Sequence, residues 1–275
     1  MRVAFQGERG AYSEEAIIQH FGRGVEPVSR PYLRDVFDSI EEGEANLGLV
    51  PVENSIEGSI VRTYDLLNER RLKAQGETVL RVVHCLIANP GVAKEDVLRV
   101  HSHPQALGQC RDYLERHGYE PVSSYDTAGS VKMLKEQGLR DSAAIASRRA
   151  AEVYGMEVLD SGIETHHENY TRFLVIGHED MQPTSRDKTS IAFIVDHRPG
   201  TLYTALKAFA ENGIDLTKIE SRPMLGKPWE YIFFIDVIGH REDSDLSRAL
   251  RLLKENSRSV KILGSYPRAP KPRER

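Results

Sequence analysis

Four stretches of this 275-residue chain set glycines and small polar residues just ahead of a helical pattern: Gly10-Ala-Tyr-Ser13, Asn54-Ser-Ile-Glu-Gly-Ser59, Ser102-His-Pro-Gln105 and Thr127-Ala-Gly-Ser130. The first turn of a helix carries N–H groups with no intrahelical partner, at the positive end of the helix dipole. For any single turn of this kind, structural capping is a sufficient reading. Four together, at strand-to-helix junctions, would instead line an anion-binding cleft. Each helix end favours a nearby negative charge by about 0.3–1 kcal/mol, and by up to about 2 kcal/mol when partly buried. A carboxylate-rich small molecule could be held this way without a metal.

Other chemistries find less support. His101-x-His103 could aim two imidazoles from one strand face and His166-His167 could add more, but no third ligand stands at metal spacing, so no metal site is expected. Gly7-Glu-Arg-Gly10 lacks the full dinucleotide fingerprint, and neither a phosphate-binding loop with its Lys nor a G-x-S-x-G elbow is present. Cys85 and Cys110 read as small buried apolar side chains. Glu14-Glu15 and Glu41-Glu42 read as solvated helix positions. The net charge of -4 argues against nucleic-acid binding, which needs a basic face. No apolar run approaches the ~20 residues of a membrane span, and MRVAFQGERG lacks the apolar stretch of a secretory signal. A cytoplasmic protein with a small-molecule ligand is expected, with no membrane partner.

The elements that must position these residues alternate. VAFQ, EPVS, NLGLVP, VVHCLIA, LRVHSH, EPVSSY, SAAIA and RFLVIG are candidate strands with amphipathic segments between most of them, which predicts an α/β fold with largely parallel sheets. Leu107, Cys110, Tyr113 and Leu114 predict one helix over 104–117, stopped by His117-Gly118. HEDMQPTSRDK is polar and aperiodic, a linker that sets a boundary near residue 182. Beyond it, SIAFIV alternates; Leu202, Leu206 and Phe209 form a helical stripe; IDLTKIES and WEYIFFIDVIG are strands. Leu246, Ala249, Leu250 and Leu253 form a second stripe, and SVKILGSY closes. The order β-α-β-β-α-β is ferredoxin-like. The tail PRAPKPRER reads as a solvated basic end.

GLVPVENSIEGSI at 48–60, SHPQALGQC at 102–110 and NYTRFLVIG at 169–177 together resemble prephenate dehydratases, and the C-terminal unit resembles an ACT domain. Glu220-Ser-Arg-Pro223 matches that domain's effector motif; Pro199-Gly-Thr-Leu-Tyr203 matches its helix-opening loop, with Thr201 where Ala is usual. The resemblance implies a catalytic domain over 1–182 with two lobes like those of periplasmic binding proteins. Lobe one would take about 1–77 and 165–182 and lobe two about 78–164, with an ACT regulatory domain over 183–267 and a tail over 268–275. It further implies conversion of prephenate to phenylpyruvate, with loss of water and carbon dioxide, in phenylalanine biosynthesis, and no cofactor.

Under the resemblance Thr171 hydrogen-bonds the departing hydroxyl, while Asn54, Ser55, Ser59, Arg172, His103 and Gln105 contact substrate and Phe173 walls the pocket. Glu53 and His103 are secondary proton-donor candidates. Strand alternation puts Arg172 opposite Thr171, so a salt bridge is its other reading, and an ordinary core residue is that of Phe173. Phenylalanine would bind between paired ACT domains of a homodimer or homotetramer and inhibit, through Pro199, Gly200, Thr201, Leu202, Glu220, Ser221, Arg222 and Pro223. Two rivals stay open: a non-catalytic amino-acid sensor built from the same lobes, and a dehydratase that takes arogenate.

Overall fold

A computed structural model of the chain describes residues 1–270 apart from 225 and 228. The chain divides into two compact units: Met1–Gly58 with Val79–Arg172, and Ser59–Thr78 with the described residues from Phe173 onward.

β1 (Arg2–Gln6), α1 (Tyr12–Phe21), β2 (Glu26–Arg30), α2 (Leu33–Glu41) and β3 (Leu47–Asn54) alternate at the start. β1 pairs in parallel with both β2 and β3. Its Val3, Ala4 and Phe5 are fully buried, the uninterrupted apolar run of a strand covered on both faces. The short β4 (Gly58–Ser59), α3 (Val61–Glu69) and β5 (Lys73–Arg81) follow.

Next come β6 (Cys85–Ala88), β7 (Arg99–Ser102), α4 (Pro104–Gln109), α5 (Arg111–His117), β8 (Glu120–Ser123), α6 (Thr127–Gln137), β9 (Ser142–Ala146), α7 (Arg148–Tyr154) and β10 (Glu157–Ser161). Among the described residues these strands form a second sheet in the order β10-β6-β9-β7-β8. β7 runs parallel to β8 and β9, but β6 is antiparallel to both neighbours. The sheet departs from the largely parallel expectation at β6 because the chain enters the sheet along that strand, from the end toward which the others point. β11 (Tyr170–Gly177) then joins the first sheet, whose order is β2-β1-β3-β11-β5 with β4 on β3. The single helix expected over 104–117 is two, because Cys110 leaves helical geometry at φ -108, ψ 15. Its apolar stripe survives the break: Leu107, Cys110, Tyr113 and Leu114 are all buried.

β12 (Asp187–Ile194), α8 (Thr201–Ala210), β13 (Leu216–Pro223), β14 (Tyr231–Ile238), α9 (Ser244–Glu255) and β15 (Ser259–Pro267) complete the chain. Their sheet is antiparallel in the order β13-β14-β12-β15, the ferredoxin-like arrangement. Ile191 and Phe193 of β12 and the following Val195 pack with Phe209, Leu246, Ala249 and Leu253 of the helices. The opposite face receives α3. The Tyr64 ring stands 5.5 Å from that of Phe234 and its hydroxyl donates to Asp236 Oδ2 at 3.2 Å. Lys261 Nζ donates to the carbonyls of Leu67, Asn68 and Arg70 at 2.9, 2.7 and 2.7 Å, a cation at the negative end of α3. Ser59–Thr78, grouped with lobe one in the sequence reading, thus packs with the C-terminal unit.

Of the basic tail, Arg268 and Ala269 are held by backbone N–H groups, to Arg186 O and Glu77 Oε1, each at 2.9 Å, rather than free in solvent. Residues 271–275 lie outside the described residues. Among the described residues no helix is long and apolar enough to cross a membrane.

Candidate active site

Asn54 ends β3, and its Oδ1 accepts the N–H groups of Ile56 and Glu57 at 2.9 and 3.0 Å, closing a turn with its own side chain. That settles which end of the amide is which. Nδ2 faces β11 and donates to Asn169 Oδ1 at 2.8 Å, Thr171 Oγ1 at 3.0 Å and Tyr170 O at 3.3 Å. Ser55 Oγ donates to Glu168 O and accepts from Tyr170 N, each at 2.9 Å. Asn54, Ser55 and Thr171, singled out from sequence, therefore meet where the β3 loop is stitched to the start of β11.

The polar contacts continue inward. Asn169 Nδ2 donates to Gln109 Oε1 at 2.9 Å, and Gln109 Nε2 donates to Glu57 Oε1 at 3.3 Å. His84 Nε2 lies 2.8 Å from the same Gln109 oxygen, and the Tyr12 hydroxyl lies 2.7 Å from His84 Nδ1. A cleft of about 590 Å³ opens beside them, lined among others by Ile56, Glu57, Gln105, Gln109, Thr165 and His166. Gln109 and Asn169 fall inside the motifs read from sequence without being singled out there. Tyr12 likewise falls inside the Gly10–Ser13 turn without being singled out, and His84 carries no mark beyond being a polar residue in the apolar run VVHCLIA.

Other expected residues go elsewhere. The Ser59 hydroxyl accepts from Lys218 Nζ in the C-terminal unit. Arg172 is buried, its Nε 3.4 Å from Glu53 Oε2, and Phe173 is a core residue. His103 caps α4, its Nδ1 accepting from Gln105 N at 3.3 Å. The helix-end anion sites are already served by the chain itself. Gly10 N donates to Glu14 Oε2 at 2.7 Å, and Asp126 Oδ1 caps α6 by accepting from Gly129 N at 2.8 Å. Their positive ends are therefore spent on internal acceptors.

Glu14 corrects the solvated reading outright, for it is fully buried. Arg9 Nε and Arg149 Nη2 bracket its carboxylate at 2.9 and 3.1 Å. Burial pushes its pKa up, but the Arg9 hydrogen bond, the Gly10 N–H and Arg149 outweigh that and hold it below the usual range. Cys85 and Cys110 are buried, and burial pushes both thiols up, so neither offers a thiolate. Among the described residues no three His, Cys, Asp or Glu side chains gather where a metal could be held.

In the C-terminal unit a cavity of about 380 Å³ opens at the start of α8. Pro199, Gly200, Thr201 and Leu202 line it with Tyr231 and Phe233, aromatic walls that the sequence reading did not pick out. Glu220, Ser221, Arg222 and Pro223 lie on the edge strand β13, Ser221 opposite Phe233 and Pro223 opposite Tyr231. Glu220 Oε2 is 3.8 Å from Lys218, and Arg222 is 2.8 Å from Asp65 of α3.

Comparison with known proteins agrees with both halves of this architecture. A prephenate dehydratase family model matches residues 3–181 and an ACT domain model matches 189–253. A bifunctional chorismate mutase/prephenate dehydratase of Neisseria gonorrhoeae is 40% identical over 271 residues, covering 98% of this chain and 75% of that protein. An arogenate dehydratase/prephenate dehydratase of Arabidopsis thaliana is 41% identical over 278 residues, 97% of this chain and 73% of that one. The crystal structure of a prephenate dehydratase from Arthrobacter aurescens in complex with L-Phe superposes with a TM-score of 0.89 at 32% identity, covering 98% of this chain and 90% of that one. A structure presented as a novel type of quorum quenching acylase superposes at 0.93 with 36% identity, over 98% and 99% of the two chains. The chain belongs to the prephenate dehydratase family and carries an ACT domain after its catalytic region.

Proposed function

We propose that the protein converts prephenate to phenylpyruvate and is inhibited by L-phenylalanine through its ACT domain. Prephenate carries two carboxylates and a ring hydroxyl. The bond from the ring to its carboxylate breaks to release carbon dioxide, that electron pair completes the aromatic ring, and the C–O bond on the far side breaks. The departing hydroxide takes up one proton and leaves as water. Aromatisation drives the reaction, so the protein has mainly to orient the dianion and assist the leaving group.

The observation that carries this reading is the Asn54–Thr171 hydrogen bond. Asn54 can only donate to Thr171 Oγ1, so the threonine's own proton is left for a hydroxyl in the cleft. Assistance of this kind contributes about 10²–10⁴-fold. Ser55 follows Asn54 in the same loop and His103 and Gln105 stand at the start of α4, with Arg172 and Glu53 as a paired charge behind Thr171. The test is turnover of prephenate by wild type and Thr171→Ala, with Thr171→Ser retaining the hydroxyl. A fall in kcat of about 10²-fold or more in folded Thr171→Ala is expected; near-normal turnover would overturn the role.

Arogenate is the second reading, favoured by the name of the Arabidopsis relative, and the same assay with arogenate separates the two. The ACT reading is supported by the cavity walled by Tyr231 and Phe233 and by the phenylalanine complex of the Arthrobacter structure. Exposed apolar side chains on α8 and the edge strand, Tyr203 at 70% and Ile219 at 49%, suit pairing of ACT units in a homodimer or homotetramer.

A further inference from the structure

The amide orientations beside Thr171 fix the protonation of a residue remote from it. Asn54 Oδ1 takes two backbone N–H groups, so its nitrogen donates and Asn169 Oδ1 accepts. Asn169 Nδ2 is then the donor to Gln109 Oε1. A carboxamide oxygen has no proton to give, so the 2.8 Å contact between that oxygen and His84 Nε2 requires Nε2 to carry hydrogen. His84 is only 2% exposed, and burial lowers its basicity. The ring is therefore neutral, and its Nδ1 must accept. The Tyr12 hydroxyl is the donor: it lies 2.7 Å from Nδ1 against 3.2 Å from Val83 O, and burial pushes its pKa up and keeps it protonated. The one charged group facing His84 in these contacts, Glu164, accepts from the backbone N–H of His84 at 2.9 Å.

We propose that His84, locked as the Nε2–H tautomer by Gln109 while Tyr12 donates to Nδ1, is a positioning residue for the dehydration. It holds Gln109 with its NH₂ group turned to Glu57 at the cleft, and through Asn169 it keeps Asn54 and Thr171 in one polarity. The inference rests on the dehydratase reading above. The chain is a fixed frame and not a proton wire: donors converge on Gln109 Oε1 from both sides, and a carboxamide oxygen that accepts twice passes nothing on. Its members come from α1, the link between β5 and β6, α4, the end of β3 and the residue before β11, all within the unit of Met1–Gly58 and Val79–Arg172. The product of this polarity is a Thr171 oxygen committed to accepting and a Thr171 proton free for substrate.

The test combines spectroscopy with kinetics on the full chain. In ¹⁵N-labelled protein, long-range ¹H–¹⁵N spectra, assigned with His84→Gln, are expected to show His84 as a neutral Nε2–H ring at neutral pH, and the same ring in Tyr12→Phe, where Gln109 Oε1 still accepts. His84→Leu is expected to lose about 10²-fold in kcat with KM nearly unchanged, and His84→Gln, whose amide nitrogen can still donate to Gln109, to recover most of it. An Nδ1–H ring or an imidazolium in wild type would overturn the proposal, as would wild-type kcat in His84→Leu. Should His84→Leu fail to fold, the wild-type spectrum decides alone. A wild type that is inert toward both prephenate and arogenate sinks the dehydratase reading itself, whereas an active wild type with a normal His84→Leu sinks only the inference.

Discussion

Asp65 in α3 holds Arg222 of β13 at 2.8 Å, tying the helix that follows the Asn54 loop to the strand that carries Glu220, Ser221 and Pro223. Desolvation raises the Asp65 pKa above its ordinary value despite Arg222 and Arg62 nearby. A raised carboxylate pKa means that the ionised group costs stability at neutral pH, and stability is gained only where the group is protonated. Asp65→Asn should therefore unfold within about 0.5 kcal/mol of wild type. Its phenylalanine response should differ: loss of about 1 kcal/mol of coupling raises the half-inhibiting concentration about fivefold. Turnover titrated with phenylalanine checks this, and an unchanged response would separate the pair from regulation.

Tyr64 joins the same helix to the buried Asp236, whose other oxygen accepts from Ser190 Oγ at 2.5 Å, with Tyr266 OH 2.7 Å from that serine. Truncating one donor to a buried carboxylate forfeits more than a surface hydrogen bond would. Tyr64→Phe keeps the ring against Phe234 and removes only the hydroxyl, so a loss of about 1–3 kcal/mol in denaturant unfolding is expected. A midpoint equal to that of wild type would show that the hydroxyl contributes nothing.

The fold was legible wherever periodicity carried it. β1 reads as an apolar run and is buried on both faces, and the stripes of α8 and α9 pack where their spacing says. The polar frame was not, because its contacts join residues far apart: Tyr12 meets His84 across 72 positions and Arg149 meets Glu14 across 135. No local pattern distinguishes Glu14, which is buried, from the adjacent Glu15. The loop motifs brought Asn54, Ser55 and Thr171 to attention as types, but which way each amide points depends on backbone N–H groups that only the folded turn supplies. α3 reads as a helix of the first lobe because its apolar face gives no hint that its cover, Phe234, lies on β14.

Glu14 also sets an acid limit. Its folded pKa is held below the ordinary 4.5 because the Arg9 hydrogen bond, the Gly10 N–H and Arg149 outweigh the opposing effect of burial. A depressed carboxylate contributes stability that is present above its unfolded pKa and is lost as pH falls through the folded one. Wild type should therefore lose stability below about pH 4.5 more steeply than Glu14→Gln, which should be the less stable of the two at neutral pH. Unfolding free energies measured between acid and neutral pH give the comparison, and parallel curves would remove Glu14 from the acid transition.

Gly10 is where the loop ahead of α1 rests on α7. Its φ is +86°, and a Cβ there would lie 2.6 Å from Ala150 Cα and 3.1 Å from Ala150 N, backbone that cannot rotate aside. Ser147 Oγ also donates to Gly10 O at 2.6 Å across the same contact. Gly10→Ala should combine backbone strain with a forced separation of the two loops and cost about 1–3 kcal/mol. Gly118 is the control: its φ is +69° with no atom within 4 Å of an added Cβ, so Gly118→Ala meets the strain without the clash. Because Gly10 leads directly into α1 and Tyr12, the clash should also lower kcat, while Gly118→Ala leaves turnover unchanged. Equal activity in the two variants would show that the approach of Gly10 to Ala150 supports the fold alone.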